Sequence, residues 1–333
     1  MKRSMNRVFF GGILLCLFCE AAILPRPTRA DDWPQWLGKN QDSVWRETGI
    51  LETFPRNGPK VVWRQEVGGG YAGPSVADGR VFVTDYVTDE FPKPSAGRRD
   101  RLQGQERILC FSADDGSPIW QYEYPRPYHI SYAYGPRVTP TIDGDRLYAL
   151  GAEGNLICLR TKDGSVVWEH DLTKKYSCKT PQWGFSGHPL VDGDKLICMV
   201  GGEGSIAVAF DKRSGKEIWR ALSAQEPGYC SPTIIEAANT RQLLIWHAES
   251  VNSLDPNTGE VYWTEPIVPR WGMAIAIPRQ CDRLFFVGAI VMKSMGLRLG
   301  EEEPTAEFVW SGKKGKGLSP VMATPFLEHG HMY

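Results

Sequence analysis

The segment ICLRTKDGSVVW (Ile157–Trp168) decides the fold, because close copies of it recur along the chain. An apolar run leads into a polar turn that ends in glycine, and a tryptophan follows four residues after that glycine. A phrase repeated at a regular interval predicts a repeat architecture, in which each copy is one structural unit. The four glycine–tryptophan pairs are Gly116 and Trp120, Gly164 and Trp168, Gly215 and Trp219, and Gly259 and Trp263.

A second phrase recurs in phase with the first. TPTIDGDRLYAL (residues 139–150) matches HPLVDGDKLICM (residues 188–199), and in both an Asp-Gly pair separates two apolar runs. Asp-Gly between alternating apolar runs predicts a tight hairpin, since glycine accepts a positive φ without steric cost. With looser copies that end at Trp63 and Trp310, successive tryptophans lie 57, 48, 51, 44 and 47 residues apart. Each interval has room for four short strands.

About four strands in each repeat predict an all-β chain folded as a β-propeller of four-stranded blades. A single blade cannot bury both of its faces, so neighbouring blades must stack and share a core. The tryptophan that ends the outer strand is large enough to fill the wedge between two blades. Cys110 and Cys158 occupy the same position of the repeat as Ala209 and Ser253, which indicates a small buried strand residue.

The two ends of the chain predict processing and an incomplete last blade. Lys2, Arg3 and Arg7 precede an apolar run and a small residue at position 30, the pattern of a cleaved secretory signal, with an uncleaved membrane anchor as the alternative. The last ten residues match only the start of a repeat, so we expect about five full blades plus partial ones and a truncated C-terminus. The predicted organisation is a signal peptide at 1–30, an N-terminal extended segment at 31–57 and propeller repeats at 58–333.

Charge and cysteine content limit the possible partners and compartments. The formal net charge is −1, which gives no electrostatic reason to expect nucleic acid. The predicted signal places the protein outside the cytoplasm, either periplasmic or secreted, with no membrane span after cleavage. The six cysteines of the mature chain include no CxxC pair, and a disulfide between Cys178 and Cys230 stays open. The polar insertion at residues 87–107 is predicted to be an exposed loop.

The repeat phrase resembles the pyrroloquinoline-quinone-type (PQQ-like) propeller repeat. That repeat occurs in quinoprotein alcohol dehydrogenases and in the non-enzymatic propeller of the outer-membrane assembly machinery. The segment DDWPQWLGKNQDSVW (residues 31–45) also resembles the start of secreted PQQ-like proteins of planctomycete-type bacteria. The resemblance implies a propeller fold, and it implies PQQ with calcium as a possible cofactor. The quinoprotein pattern of adjacent cysteines and a Glu, Asn and Asp set is not found in the sequence, so no cofactor is assured.

Aromatic residues recur just before the predicted innermost strand of each blade. Loops that lead into innermost strands gather at one mouth of a propeller, where aromatic side chains could stack on a planar or sugar-like ligand. The alternative is that they pack against neighbouring loops. No catalytic residue and no metal site are predicted. The candidate ligand-binding residues are Tyr71, Tyr134, Trp183, Tyr229 and Trp271.

The sequence favours an exported propeller that acts as a binding or scaffolding module in the cell envelope. Its partner would be an envelope protein held by loops or a small ligand at the propeller mouth. The alternative function is a PQQ-dependent dehydrogenase-like oxidoreductase, which leaves enzymatic activity open. A third interpretation is a degenerate gene fragment without function.

Overall fold

The computed structural model describes residues 31–90, 97–291, 293–312, 318–328 and 331–333. The chain divides into two compact units, Met1–Asp31 and Asp32–Tyr333. The predicted signal peptide at 1–30 lies outside the described residues, as does the basic stretch at 313–316. All described residues except Asp31 therefore belong to the second unit.

The second unit is built almost entirely from strands. One short helix, α1 (Leu172–Lys175), and one 3₁₀ turn (Arg270–Gly272) are present among the described residues. The strands are β1 (Ser75–Ala77), β2 (Arg80–Val87), β3 (Asp100–Leu102), β4 (Gln105–Ser112), β5 (Pro118–Pro125), β6 (Tyr128–Ile130), β7 (Thr141–Asp143), β8 (Arg146–Leu150), β9 (Asn155–Arg160), β10 (Val166–Asp171), β11 (Leu190–Asp192), β12 (Lys195–Met199), β13 (Ala207–Asp211), β14 (Glu217–Ala221), β15 (Thr233–Ala237), β16 (Thr240–Trp246), β17 (Ser250–Leu254), β18 (Val261–Pro266), β19 (Arg279–Cys281), β20 (Leu284–Ala289), β21 (Lys293–Leu299), β22 (Ala306–Ser311), β23 (Leu327–Glu328) and β24 (His331–Met332).

These strands form five four-stranded antiparallel sheets in the described part of the chain, and they confirm the predicted propeller blades. The sheet orders are β1-β2-β4-β5, β7-β8-β9-β10, β11-β12-β13-β14, β15-β16-β17-β18 and β19-β20-β21-β22. We call them blades 1 to 5. A two-stranded hairpin, β23-β24, follows blade 5 and contacts β19.

The antiparallel order gives every blade two different ends. The turns between first and second strands and between third and fourth strands lie at one end, which we call the turn face. The turns between second and third strands, and the connections to the next blade, lie at the other end, which we call the loop face. Asp-Gly hairpins close the turn face of blades 1, 2 and 3, with φ of +71°, +56° and +58° at Gly79, Gly144 and Gly193. These glycines adopt the left-handed conformation that the sequence predicted.

The hydrophobic core lies between successive blades. One buried cluster joins Tyr148 and Cys158 of blade 2 to Cys198 and Phe210 of blade 3. Comparable clusters join blades 1 and 2, blades 3 and 4, and blades 4 and 5. Because each cluster draws on two sheets, every blade depends on its neighbours for burial, as the stacking argument requires.

The tryptophan of one blade packs on the turn glycine of the next. Gly164 has φ of +71°, and a Cβ added there would lie 2.7 Å from the Trp120 ring. The Trp120 indole N–H also donates to the Thr161 carbonyl of the same turn at 2.9 Å. Trp168 repeats the packing on Gly215, and Trp219 repeats it on Gly259. The glycine is therefore required both by its backbone conformation and by the close approach of an indole from the preceding blade.

The first copy of this contact involves the N-terminal part of the chain. Trp63 packs on Gly116 of blade 1, where an added Cβ would lie 2.7 Å from the ring. Its indole N–H donates to the Ala113 carbonyl at 2.9 Å. Trp63 thus packs against blade 1 in the same way as Trp120, Trp168 and Trp219 pack against the blades that follow them.

One expectation about local structure is corrected. The insertion at 87–107 is only partly a loop, because β3 pairs with β6 and Leu102 is buried in a cluster with Tyr86 and Tyr128. The prediction was wrong because the charge of this segment was taken as a sign of exposure.

The N-terminal segment from Trp33 to Ser43 lies along the innermost strands. The backbone of Trp33 forms two hydrogen bonds with Val76 of β1, at 2.8 and 2.9 Å. The Pro34 carbonyl then accepts from the Ile142 N–H of β7 at 2.8 Å. Two adjacent residues of this segment, Trp33 and Pro34, therefore reach the inner strands of blades 1 and 2, and turns follow from Trp36 to Gln41.

Further along, the same segment reaches blades 3 and 5. The Trp36 indole stacks on the His188 ring just before β11, with centroids 4.5 Å apart and planes 8° apart. The Gln41 carbonyl accepts from Arg279 of β19 at 3.3 Å. This N-terminal segment therefore ties the inner edges of several blades together.

Candidate functional site

The five predicted aromatic residues all lie on the loop face, but they occur in three separate environments. Tyr71, Tyr134 and Trp271 are exposed by 53%, 48% and 57%, whereas Tyr229 is only 7% exposed. The sequence placed Tyr134, Trp183 and Trp271 at one position of the repeat and Tyr71 and Tyr229 near it, and the loops around them differ in length and composition. Similar positions therefore have different surroundings in different blades.

Tyr71 and Tyr134 lie in neighbouring loops around Arg137. The Arg137 guanidinium sits 5.1 Å from the Tyr71 ring centroid, a cation–π arrangement. Its N–H groups donate to the carbonyls of Ser131 and Tyr132 at 3.0 and 2.6 Å. Burial lowers the pKa of Arg137. The carbonyl contacts fix the position of its guanidinium beside the exposed Tyr71 ring.

Trp183 and Tyr229 pack against each other. Their rings meet edge to face, with centroids 5.5 Å apart. The Tyr229 side chain is buried, and desolvation and the nearby Glu226 carboxylate raise its pKa, whereas backbone hydrogen bonds to Trp183 and Gln182 act in the opposite direction. The Tyr229 ring is therefore covered by its neighbours and not presented to solvent.

Trp271 projects from the connection into blade 5 and is the most exposed of the five. Its φ is +57°, in the left-handed region that a bulky residue rarely adopts. The Arg270 guanidinium lies 4.1 Å from the centre of its ring. Strained backbone and an exposed indole occur together at this loop, and backbone strain of this kind clusters at functional sites.

A buried carboxyl group that the sequence analysis missed lies beneath this face. Glu106 is 1% exposed and accepts hydrogen bonds from the Tyr124 and Tyr128 hydroxyls and from the Ala152 N–H, the last at 2.9 Å. Desolvation raises its pKa, although these donors and Arg126 act in the opposite direction. Since Ala152 belongs to blade 2, Glu106 couples the loop faces of blades 1 and 2.

Arg126 and Glu153 extend this polar network along the loop face. Arg126 donates to the Asp171 carboxylate at 3.1 Å and to the Glu153 carbonyl at 2.7 Å. The Glu153 carboxylate accepts from the His129 N–H at 2.5 Å and from the Thr180 hydroxyl at 2.7 Å. These bonds fix the loops around the aromatic residues. No pattern in the sequence around these residues predicted this hydrogen-bond network.

A groove of about 600 Å³ opens on the same face. Its walls come from the inserted segment of blade 1, the connection after α1, and the loops of blades 3 and 4. Arg99, Cys178 and Gly201 line one part of it, and Glu226 and Glu249 line another. Its volume lies within the range of small-ligand or peptide sites.

Among the described residues, no group of three or more His, Cys, Asp or Glu side chains is placed to hold a metal ion.

Residues 104–284 match the family described as outer membrane protein assembly factor BamB, a family of PQQ-type repeats. The chain belongs to this family. The match covers more than half of the chain and spans blades 2 to 4 in full, so it confirms the resemblance inferred from the repeat phrase. No curated protein matches the sequence.

Solved structures similar to this BamB-family chain are also PQQ-repeat propellers. Quinohemoprotein alcohol dehydrogenase from Comamonas testosteroni shares 17% identity, with 87% of this chain and 51% of that one covered and a TM-score of 0.54. BamB from Moraxella catarrhalis shares 14% identity over 75% of each chain, with a TM-score of 0.46. This chain thus spans about half the length of the dehydrogenase, and the likeness concerns the fold alone. In the described residues no helix is long and apolar enough to cross a membrane.

Proposed function

We propose that this protein is an exported binding or scaffolding module of the cell envelope, which holds a protein partner on its loop face. The observation that carries the proposal is the loop face itself. Tyr71, Tyr134 and Trp271 are exposed there, and the Arg137 contacts to the Tyr71 ring and to the Ser131 and Tyr132 carbonyls hold the loops that carry the two tyrosines. Exposed aromatic side chains on rigid loops are typical of protein-binding surfaces, because they bury area at low entropic cost.

Membership of an assembly-factor family supports a binding role over catalysis. The family description concerns assembly of outer membrane proteins, and a partner of that kind would meet this chain outside the cytoplasm. The predicted signal peptide is consistent with that location.

Site-specific photo-cross-linking tests the proposal. The photoreactive residue p-benzoylphenylalanine is placed at positions 134 and 271 on the loop face and, as the control, at position 257 on the turn face. We expect discrete cross-linked products in the envelope fraction of the producing cells from positions 134 and 271 only. Equal products from all three positions, or none from the loop face, would contradict the proposal.

The alternative, a PQQ-dependent dehydrogenase, predicts a different result. Purified protein mixed with PQQ and Ca²⁺ would then show a bound-quinone absorbance and dye-linked alcohol oxidation. We expect neither signal, because the adjacent cysteines and the Glu, Asn and Asp set of quinoproteins are not found in the sequence.

A further inference from the structure

Residues 60–67 take the position of a fourth strand in front of blade 1. The Trp63 indole packs on Gly116 and donates to a backbone carbonyl of the same turn at 2.9 Å. Trp120 of the fourth strand of blade 1 makes the same two contacts with the next blade, where it packs on Gly164. By this contact, residues 60–67 correspond to the fourth strand of a blade that would precede blade 1.

Every described blade places a small residue directly opposite the tryptophan of its fourth strand. Side chains directly opposite each other in an antiparallel pair lie on the same face of the sheet. At Gly296 an added Cβ would come within 2.6 Å of Cε2 of Trp310, so the indole covers the opposite residue and leaves no room for a larger side chain. The five pairs are Cys110 with Trp120, Cys158 with Trp168, Ala209 with Trp219, Ser253 with Trp263, and Gly296 with Trp310.

No strand pairs with residues 60–67 in the described part of the chain. Val61 and Val62 are 58% and 74% exposed, whereas Ile119, at the position of Val62 in the repeat, is 43% exposed. The third strand that every other repeat tryptophan faces is therefore missing beside Trp63. A strand edge that lacks its neighbour readily accepts another strand, because its backbone N–H and C=O groups are unpaired.

Contacts on its C-terminal side hold this segment in place without a third strand. The Gln65 side chain donates to the Gly116 carbonyl at 2.9 Å. The backbone of Gly69 then exchanges two hydrogen bonds with Tyr86 of β2, at 3.0 and 2.8 Å. Since the segment is already fixed against blade 1, a strand that pairs with it has less conformational entropy to overcome.

The five complete blades define the strand that would fit this edge. Beside the small residue, each third strand carries a buried apolar residue at the next position, namely Phe111, Leu159, Phe210, Leu254 and Leu297. All five third strands are already paired on both edges, so a second copy of the described residues offers no free strand of this kind. A strand with the required pattern therefore comes from another segment.

We propose that residues 60–67 bind an extended segment of a partner protein by strand addition, with a small residue opposite Trp63 and an apolar residue next to it. In strand addition the backbone hydrogen bonds supply affinity and the alternate side chains supply specificity. The edge is separate from the aromatic residues of the loop face, so the inference goes beyond the proposed function.

Two capped peptides test the proposal. Acetyl-Ser-Ile-Ala-Val-Ala-Phe-Asp-Lys-amide copies residues 205–212, which include the third strand of blade 3, and its fifth residue is the alanine that faces Trp219. The control peptide has leucine at that fifth position. Ligand-observed NMR titration of the full chain should give at least about tenfold weaker binding for the leucine peptide, because the Trp63 indole occupies the space. Equal affinities, or no binding of the alanine peptide, would overturn the proposal.

Photo-cross-linking locates the bound peptide. The photoreactive residue p-benzoylphenylalanine is placed at position 62 and, as the control, at position 119, the same repeat position in a complete blade. Thermal unfolding checks that both variants keep the fold. We expect the alanine peptide to cross-link from position 62 only, and equal products from both positions or none from position 62 would refute the edge.

Light scattering distinguishes a partner from a second copy. We expect the mass of the full chain to stay that of one copy as the protein concentration rises. A dimer that the alanine peptide dissociates would assign the edge to a second copy and overturn the partner assignment. The loop-face cross-links from positions 134 and 271 do not depend on this edge, so the strand-addition site and the proposed function can fail separately.

Discussion

At the residue scale, the repeat glycine and tryptophan act across the boundary between blades. The sequence showed their constant spacing within one copy and suggested that the glycine turns the chain. In the structure, Gly215 of blade 3 meets Trp168 of blade 2, so the two residues that touch belong to different copies. A periodic sequence cannot reveal this, because every copy carries both residues and the pairing depends on how the blades stack.

Replacement of a repeat glycine should therefore cost more than replacement of a hairpin glycine. At Gly215, alanine would need φ of +70° and would place its Cβ 2.7 Å from the Trp168 ring, whereas at Gly193 an added Cβ meets nothing within 4 Å. Left-handed backbone costs alanine about 1–2 kcal/mol at either site. We expect Gly215→Ala to lower the free energy of unfolding clearly more than Gly193→Ala in urea titrations. Equal losses of unfolding free energy in the two variants would mean that the Trp168 indole shifts to accommodate the added Cβ without an energetic cost.

The buried Glu106 should make stability depend on pH in a predictable direction. Its folded-state pKa is raised above the ordinary value of 4.5, so the protonated form favours folding. Its contribution is fully present below pH 4.5 and is lost as the pH rises through the folded-state pKa. We expect Glu106→Gln to flatten this decline in unfolding free energy, measured from pH 4 upward, relative to the exposed control Glu260→Gln. A variant curve parallel to that of the unmodified protein would show that Glu106 does not titrate in this range.

At the scale of elements, strands and tight turns were predictable, and long connections were not. Asp-Gly pairs between alternating apolar runs are local patterns, so they predicted the hairpins of blades 1, 2 and 3 correctly. The pair β3-β6 joins residues about 28 positions apart in a polar stretch, and no local pattern marks it. The N-terminal segment was expected to be extended, but nothing in its composition told which strands it would follow.

The N-terminal segment should contribute to stability through Trp36. This indole stacks on His188 and packs against the core between blades 4 and 5, whereas Trp45 is 59% exposed. We expect Trp36→Ala to cost about 2–3 kcal/mol of unfolding free energy, somewhat below the value for a fully buried aromatic residue. The matched change Trp45→Ala should have little effect. Comparable losses for both would indicate that the segment is not held at the inner strands.

At the scale of the whole molecule, the composition and the spacing of the repeats predicted the propeller. The candidate site on the loop face depends on contacts between blades, which a single sequence does not show. Loops that lead into innermost strands carry exposed Tyr134 in one blade and buried Tyr229 in another, since neighbouring loops decide which aromatic residue is covered. The groove draws on several blades, so only the assembled fold brings Arg99 near Glu226.

The reactivity of the cysteine thiols tests both the fold of the whole molecule and the absence of a disulfide among the described residues. All six cysteines among the described residues are free, including Cys178 and Cys230, whose pairing the sequence left open. Burial raises the pKa of Cys110 and Cys178 to about 11 and that of Cys158 and Cys230 to about 12. Thiolates at these four positions should therefore be scarce at pH 8, and Ellman's reagent should react slowly with them in the native mature protein. After denaturation without reductant, six thiols should react, and a count of four would reveal a disulfide.

The contact between each tryptophan and the glycine of the following blade also bears on how the molecule comes apart. Every such contact links a blade only to its neighbour in sequence, so the energetics approach those of a linear chain of coupled units. Loss of one indole weakens a single coupling and leaves the distant ones intact. Hydrogen exchange would then report the loss of protection in the two blades that share the indole, while the N-terminal segment still couples blades 1, 2, 3 and 5.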